Sequence, residues 1–280
     1  MRNFTFKGQL LTAVFMLLGC LSIQAANDDL ITKQITINLD KAGTLPNKIA
    51  SSEMYKITNL KIIGEINGTD WNMIREMAGR DNRGYGTEGK LSVLDLSEAK
   101  IVKGGDSYYP GDNCYTSNDE IGEKAFKDCS RLTSLTLPVG ITSIGYDAFA
   151  YCSGLTSLTL PAGITSIGEF AFSYCSGLTS IYVYAEKVPR IGRYAFEGCA
   201  SRKCTLYVPK GTYDNYRLSE FGYFENIVEF DATGIDKTTT STDVEEVSRY
   251  SADGQRLAVP VKGLNIVKYS DGSARKVVVK

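Results

Sequence analysis

The feature that most limits what this chain can fold into is a unit that returns four times at almost constant spacing. Ile121-Gly122-Glu123-Lys124-Ala125-Phe126 recurs as Ile144-Gly145-Tyr146-Asp147-Ala148-Phe149 and again as Ile167-Gly168-Glu169-Phe170-Ala171-Phe172. It returns once more as Ile191-Gly192-Arg193-Tyr194-Ala195-Phe196, so the offsets are 23, 23 and 24 residues. The first three units run on through a cysteine into a string with apolar residues at spacings of three and two. These are Leu132, Leu135 and Leu137, then Leu155, Leu158 and Leu160, then Leu178, Ile181 and Val183. The fourth carries one extra residue before Leu206-Tyr207-Val208. Alternation in Leu135-Thr136-Leu137 predicts a short strand with one buried face. Pro138 and Pro161 then end their strands, because proline has no N–H to give a ladder. The Ala-Phe segment after each Ile-Gly reads as a compact return, one helical or 3₁₀ turn. A single unit cannot bury its own apolar side, so the units must stack, with parallel strands about 4.8 Å apart.

Two looser copies precede the clear ones, at 57–62 (Ile57, Leu60, Ile62) and 91–96 (Leu91, Leu94, Leu96). Between them, Asp70 to Met77 reads as a helix opened by an Asp70 cap, with apolar residues at helical spacing. Residues 34–103 are therefore expected to cap the open end of the stack. After Phe230 the texture changes. Thr238 to Thr242 is a polar linker. Asp271-Gly272 then lies between the β-rich runs Leu264–Tyr269 and Lys276–Val279, a strong hairpin signal. The chain thus divides into residues 1–25, a cap with divergent repeats at 26–120, and repeats with a C-terminal cap at 121–230. A linker at 231–243 and a small β module at 244–280 follow.

Residues 1–25 have the layout of a secretory signal peptide: Arg2 and Lys7, an apolar run from Leu10 to Leu18, then small residues at Ala25 and Ala26. The apolar run is too short to span a bilayer, and no later segment is longer. Cleavage after Ala25 would release a secreted protein. Leu17-Leu18-Gly19-Cys20 resembles a bacterial lipobox, which would instead leave a lipid anchor at Cys20 and a cell-surface protein. The 31 basic residues less Arg2 and Lys7 leave 29, against 32 acidic ones. That balance excludes an electrostatic grip on nucleic acid. Histidine is absent, which removes the usual general base and the commonest zinc ligand. No phosphate loop or dinucleotide fingerprint occurs, and no cofactor is implied.

The repeated Ile-Gly-x-x-Ala-Phe-x-x-Cys unit with its Leu-Thr-Ser-Leu-Thr-Leu-Pro continuation resembles the BspA-like leucine-rich repeats of bacterial surface proteins. The resemblance is close from Ile121 to about Pro209 and looser back to residue 57. It implies an α/β solenoid: a right-handed leucine-rich-repeat stack of parallel strands with short return turns, here with the small C-terminal β module added. It also implies recognition or adhesion rather than catalysis, and it carries no catalytic residue onto this chain. In the tail, Gly254-Gln255-Arg256-Leu257 with Lys262-Gly263-Leu264-Asn265-Ile266-Val267 is similar to the sorting modules of type IX secretion cargo, though shorter than these. A plain β module is the other reading.

Cys129, Cys152, Cys175 and Cys199 fall near one repeat apart and so form a column. Small buried thiols suit that arrangement, and a straight column does not converge on a tetrahedral metal. Cys114 and Cys204 lie outside the column, where either could join a disulfide. The loop from Gly104 to Asn113 offers oxygen ligands at Asp106 and Asp112 but lacks the spacing of a calcium loop. Paired carboxylates meeting in space would make a carbohydrate-active solenoid enzyme, the alternative to a binding protein.

The clearest functional hint is the outward face of the sheet. With Leu135 and Leu137 inward, alternation sends Ser134 and Thr136 outward. Stacking then yields one column of Lys61, Asp95, Thr136, Thr159, Tyr182 and Tyr207. A second holds Asn59, Val93, Ser134, Ser157, Ser180 and Thr205. Tyr184 joins the tyrosines at the C-terminal end. Tyrosine offers apolar area with a polar tip, which suits recognition of an extracellular protein or glycan. It also suits strands for reasons of packing alone.

Overall fold

The computed structural model describes residues 30–109, 111, 113–199 and 202–232, with the strand backbone of 246–251, 256–257, 263–269 and 274–279. The expected signal peptide, Cys20, Pro110, Asp112, the expected linker at Thr238–Thr242 and the expected turn at Asp271-Gly272 lie outside the described residues. The chain forms two compact units, divided between residues 232 and 233.

The first unit is a solenoid. Its main sheet has eight parallel strands in sequence order: β1 (Ile35–Leu39), β2 (Asn59–Ile66), β3 (Val93–Ile101), β7 (Ser134–Thr136), β9 (Ser157–Leu160), β11 (Ser180–Val183), β13 (Thr205–Pro209) and β14 (Asn226–Phe230). A hairpin of β4 (Gly104–Tyr109) and β5 (Cys114–Thr116) follows β3. Two-residue strands β6 (Glu120–Ile121), β8 (Ser143–Ile144), β10 (Ser166–Ile167) and β12 (Arg190–Ile191) make a second parallel sheet. The repeated Ile-Gly therefore has its own ladder, with Gly145, Gly168 and Gly192 N–H donating to Ile121, Ile144 and Ile167. A Cβ on Gly168 would stand 2.6 Å from the Gly145 carbonyl carbon, so the units stack this closely only with glycine there.

Threonine continues both ladders at the surface. Thr156 and Thr179 hydroxyls donate to the Thr133 and Thr156 carbonyls at 3.1 Å. Thr165 does the same to Thr142 at 2.9 Å. The Leu-Thr-Ser and Ile-Thr-Ser strings thus have a structural reason: each hydroxyl pins one unit to the unit before it.

Inside, the repeated phenylalanine makes a spine. Phe126, Phe149, Phe172 and Phe196 stack at centroid distances of 5.3, 4.9 and 5.2 Å with near-parallel planes. Trp71 closes the spine at one end, 5.2 Å from Phe126. Phe221 and Phe224 pack on Phe196 at the other. The columnar cysteines lie beside the spine as buried thiols, and Cys114 and Cys204 are buried as well. Each columnar S–H after the first donates to a phenylalanine carbonyl one unit earlier. Cys152 reaches Phe126 at 3.0 Å, Cys175 reaches Phe149 at 3.0 Å and Cys199 reaches Phe172 at 3.1 Å.

The return segments are consecutive turns, not the helical or 3₁₀ turn expected from sequence. Each contains two residues in the left-handed region. The first set is Lys124, Asp147, Phe170 and Tyr194, and the second is Asp128, Tyr151, Tyr174 and Gly198. Stacking is the physical reason. Left-handed backbone at the first position lets Phe126, Phe149 and Phe172 N–H donate to Ala148, Ala171 and Ala195 of the next unit at 2.7 Å. A helix would turn these N–H groups onto its own carbonyls and leave the units unconnected.

That ladder leaves the first unit's Ala125 carbonyl without an N–H from a preceding repeat, and helix α1 (Gly68–Met77) supplies the donors. Trp71 Nε1 reaches Ala125 O at 3.1 Å, and Arg75 Nη1 reaches Ala125 O and Lys124 O at 2.8 Å. The helix is capped three residues earlier than the sequence reading placed it, by Asn67 in place of Asp70. Asp70 is the reciprocal member of the capping box. Its buried carboxylate also accepts from Gly43 N–H at 2.6 Å and Leu45 N–H at 2.8 Å, tying the N-terminal segment to the helix.

The second unit is a four-stranded antiparallel sheet of β15 (Glu246–Ser251), β16 (Arg256–Leu257), β17 (Gly263–Tyr269) and β18 (Ala274–Val279). Strands β17 and β18 pair from Lys268↔Ala274 to Gly263↔Val279, as a hairpin does.

Candidate functional site

Strand register builds the outward face residue by residue. Lys61 pairs with Asp95, Asp95 with Thr136, Thr159 with Tyr182 and Tyr182 with Tyr207. Ser134, Ser157, Ser180 and Thr205 form the neighbouring column, in which the Ser180 and Ser157 hydroxyls lie 3.0 Å apart.

The two ends of the face differ in chemistry. At the N-terminal end, Lys61 Nζ lies 2.6 Å from a Glu98 oxygen and 3.4 Å from an Asp95 oxygen. A bulge in β3 brings this about. Lys61 pairs with Asp95 but Ile63 pairs with Glu98, so one extra residue on β3 carries Glu98 to the outward side. Glu98 leads the interactions that raise the Lys61 pKa, against its desolvation. Burial pushes the Asp95 carboxyl up, but hydrogen bonds from Ser97 and Lys61 outweigh it and hold the acid below its ordinary range. Both carboxylates thus converge on one lysine, which helps to hold Asp95 ionised. A general acid for glycoside cleavage needs the opposite shift.

In the middle, Thr136 and Thr159 are exposed, and the surface is flat and hydroxyl-lined. At the C-terminal end it becomes aromatic. Tyr182 and Tyr207 are half-buried and stacked at 4.4 Å, with planes within 6°. Phe230, the last residue of β14, packs its edge against Tyr182 at 5.9 Å and Tyr184 at 5.0 Å. Tyr184 is 36% exposed. Burial and the neighbouring Tyr207 hydroxyl raise the Tyr182 pKa, so its hydroxyl is held as a neutral donor.

Phe230 and Glu98 are members of this face that sequence reasoning missed, as are Val228, paired with Tyr207, and Thr36, paired with Lys61. Alternation within Asn226-Ile227-Val228-Glu229-Phe230 carried the signal for Phe230, but that strand stands outside the repeat period. Elsewhere, Asp106 is engaged by Thr69, whose hydroxyl donates to it at 2.8 Å, and so helps dock β4 on helix α1. Among the described residues no group of three or more Cys, Asp or Glu stands where a metal ion could be held. No helix among them is long and apolar enough to cross a membrane.

No curated protein is detectably similar to this chain. A solved leucine-rich repeat protein from Bacteroides ovatus ATCC 8483 is similar at 23% identity and a TM-score of 0.32, over 71% of this chain and 42% of that one. The chain therefore spans less than half the length of that protein. Residues 113–227 match the BspA type Leucine rich repeat region in six copies, two more than the four units clear by eye. Over residues 113–227 the parallel stack described above thus matches BspA-type leucine-rich repeats, and its fold is that of a leucine-rich-repeat solenoid.

Proposed function

We propose that this chain is an exported, non-catalytic recognition or adhesion protein that holds an extracellular protein or glycan against the outward face of its main sheet. The aromatic patch carries the reading. Tyr182, Tyr207, Tyr184 and Phe230 join rings edge-on and face-on at the end of a hydroxyl-lined surface. Rigid aromatic area with hydroxyl tips is what binding hot spots are built from. Thr136 and Thr159 extend that area with hydrogen-bonding groups, and the Lys61, Asp95 and Glu98 cluster bounds it with paired charges. Export rests on the signal layout of residues 1–25, with either release after Ala25 or lipid retention at Cys20. The tail similar to type IX sorting modules would add a route to the cell surface.

The test is a binding screen against immobilised host extracellular proteins and glycans, repeated with a Tyr182→Ser, Tyr184→Ser, Tyr207→Ser triple variant. Loss of about 2 kcal/mol or more of binding, with folding intact, supports the patch as the interface. Undiminished affinity in the folded variant removes the patch from it.

A further inference from the structure

We infer that the return-turn side of the last repeat carries a second ligand site, a cleft suited to a short neutral oligosaccharide. The cleft holds about 700 Å³ and lies between the segment from Ile191 to Glu197 and the 3₁₀ turn Glu220–Tyr223. That volume falls within the range of about 300–1,000 Å³ typical of small-molecule sites. Arg193, Tyr194, Glu197, Glu220 and Tyr223 line it, together with Phe196.

Phe196 belongs to the spine and Tyr223 donates its hydroxyl to the Cys199 carbonyl at 3.3 Å, which leaves Tyr194 as the aromatic residue that the fold does not account for. Tyr194 has φ 58°, and Lys124, Asp147 and Phe170 occupy the equivalent place in earlier units with nearly the same φ. The same left-handed backbone therefore recurs at this position in every unit, and Asp147 meets it with a residue type that tolerates it. A bulky aromatic there is strained. Tyr194 also leaves 49% of its surface in solvent, so burial offsets little of that strain, and Tyr223 on the opposite wall is 50% exposed. The two rings are thus available to a ligand entering the cleft. Phe170 and Tyr146 continue the row away from it, at centroid distances of 5.3 and 6.0 Å.

The polar groups select the ligand class. Arg193 contributes donors from a guanidinium seated 5.2 Å from the Tyr194 ring centroid, while Glu197 and Glu220 contribute acceptors. Charges of both signs in one small cleft favour neither a cation nor an anion. A neutral sugar uses them all: its hydroxyls donate to the carboxylates and accept from the guanidinium, and its C–H faces rest on the tyrosines. The row toward Tyr146 favours a chain of rings over a single one.

The experiment is titration calorimetry of the full chain with maltotriose, cellotriose, xylotriose, triacetylchitotriose and glucose. At least one trisaccharide should bind at millimolar concentration or below, and more tightly than glucose. Tyr194→Asn keeps a residue that accepts left-handed backbone, so Tm should hold or rise while affinity falls about tenfold or more. Glu220→Gln should weaken the same sugar and provides the readout if the first variant misfolds. The triple Tyr→Ser variant of the sheet face should bind that sugar undiminished, which separates this site from the one proposed above. Absence of binding by every sugar would overturn the inference, as would undiminished affinity in both cleft variants.

Discussion

Tyr182 and Tyr207 lie face to face, 4.4 Å between centroids, because β11 and β13 pair these two residues directly. The register that stacks Leu206 on Ile181 inside stacks tyrosine on tyrosine outside. Core and candidate interface are thus set by the same ladder, and a change in one is felt by the other.

Phe149→Ala tests the spine. The ring stands between Phe126 and Phe172 and is fully buried, so its removal should cost about 3–5 kcal/mol. Each unit leans on its neighbours, and thermal unfolding should move down by roughly 10 °C. An unchanged Tm contradicts the inward placement of the repeated phenylalanine.

Asp70→Ala tests the N-terminal cap. This buried carboxylate accepts from the Gly43, Leu45 and Asn67 N–H groups. Hydrogen bonds to a charged group contribute about 1.5–3 kcal/mol each. The variant should lose at least ~3 kcal/mol in denaturant titration, with hydrogen exchange at residues 35–47 rising first. Loss of less than ~1 kcal/mol would mean that the Asp70 carboxylate does not hold the N-terminal segment to helix α1.

Alkaline pH should loosen the stack through the thiols. Burial pushes Cys129 and Cys204 up to about 11 and Cys199 up to about 12, and it raises Cys152 and Cys175 as well. In the unfolded chain these thiols ionise near pH ~8.5. Below that both states hold the proton and stability is unaffected; above it the unfolded chain gains charge that the folded chain resists, so stability falls as pH rises toward 11. Tm should be level from pH 6 to about 8 and then decline, with a smaller decline in Cys175→Ala measured against its own neutral-pH value. The same burial predicts native thiols unreactive to a maleimide at pH 7 and reactive after denaturation.

The sequence made the period, the strands and the inward residues readable because one apolar pattern repeats four times. The conformation of the return segments was not readable in the same way. Lys124 and Phe170 adopt left-handed backbone that their own propensities disfavour, and hydrogen bonds to the next unit impose it. The helix start was misplaced because Asn67 and Asp70 form a reciprocal box whose second member resembles a cap. Strand β1 was missed although Ile35, Ile37 and Leu39 alternate, since no repeat-spaced partner marks it. On the outward face, alternation alone identified the columns from Lys61 to Tyr207. Glu98 needed the bulge and Phe230 needed strand β14, and neither is encoded in the period.

The proposed role of the sheet face can be tested by blocking it without disturbing the core. The described cysteines are buried, so Thr159→Cys would present a selectively reactive thiol at the exposed centre of the face. Val139→Cys, on a turn and 75% exposed, is the control site, and the labelled wild-type chain controls for all other thiols. Each is coupled to a bulky maleimide and assayed against the ligand found in the screen. The account predicts that coupling at Thr159 abolishes binding while coupling at Val139 leaves it intact. Full binding by the Thr159→Cys conjugate would contradict it.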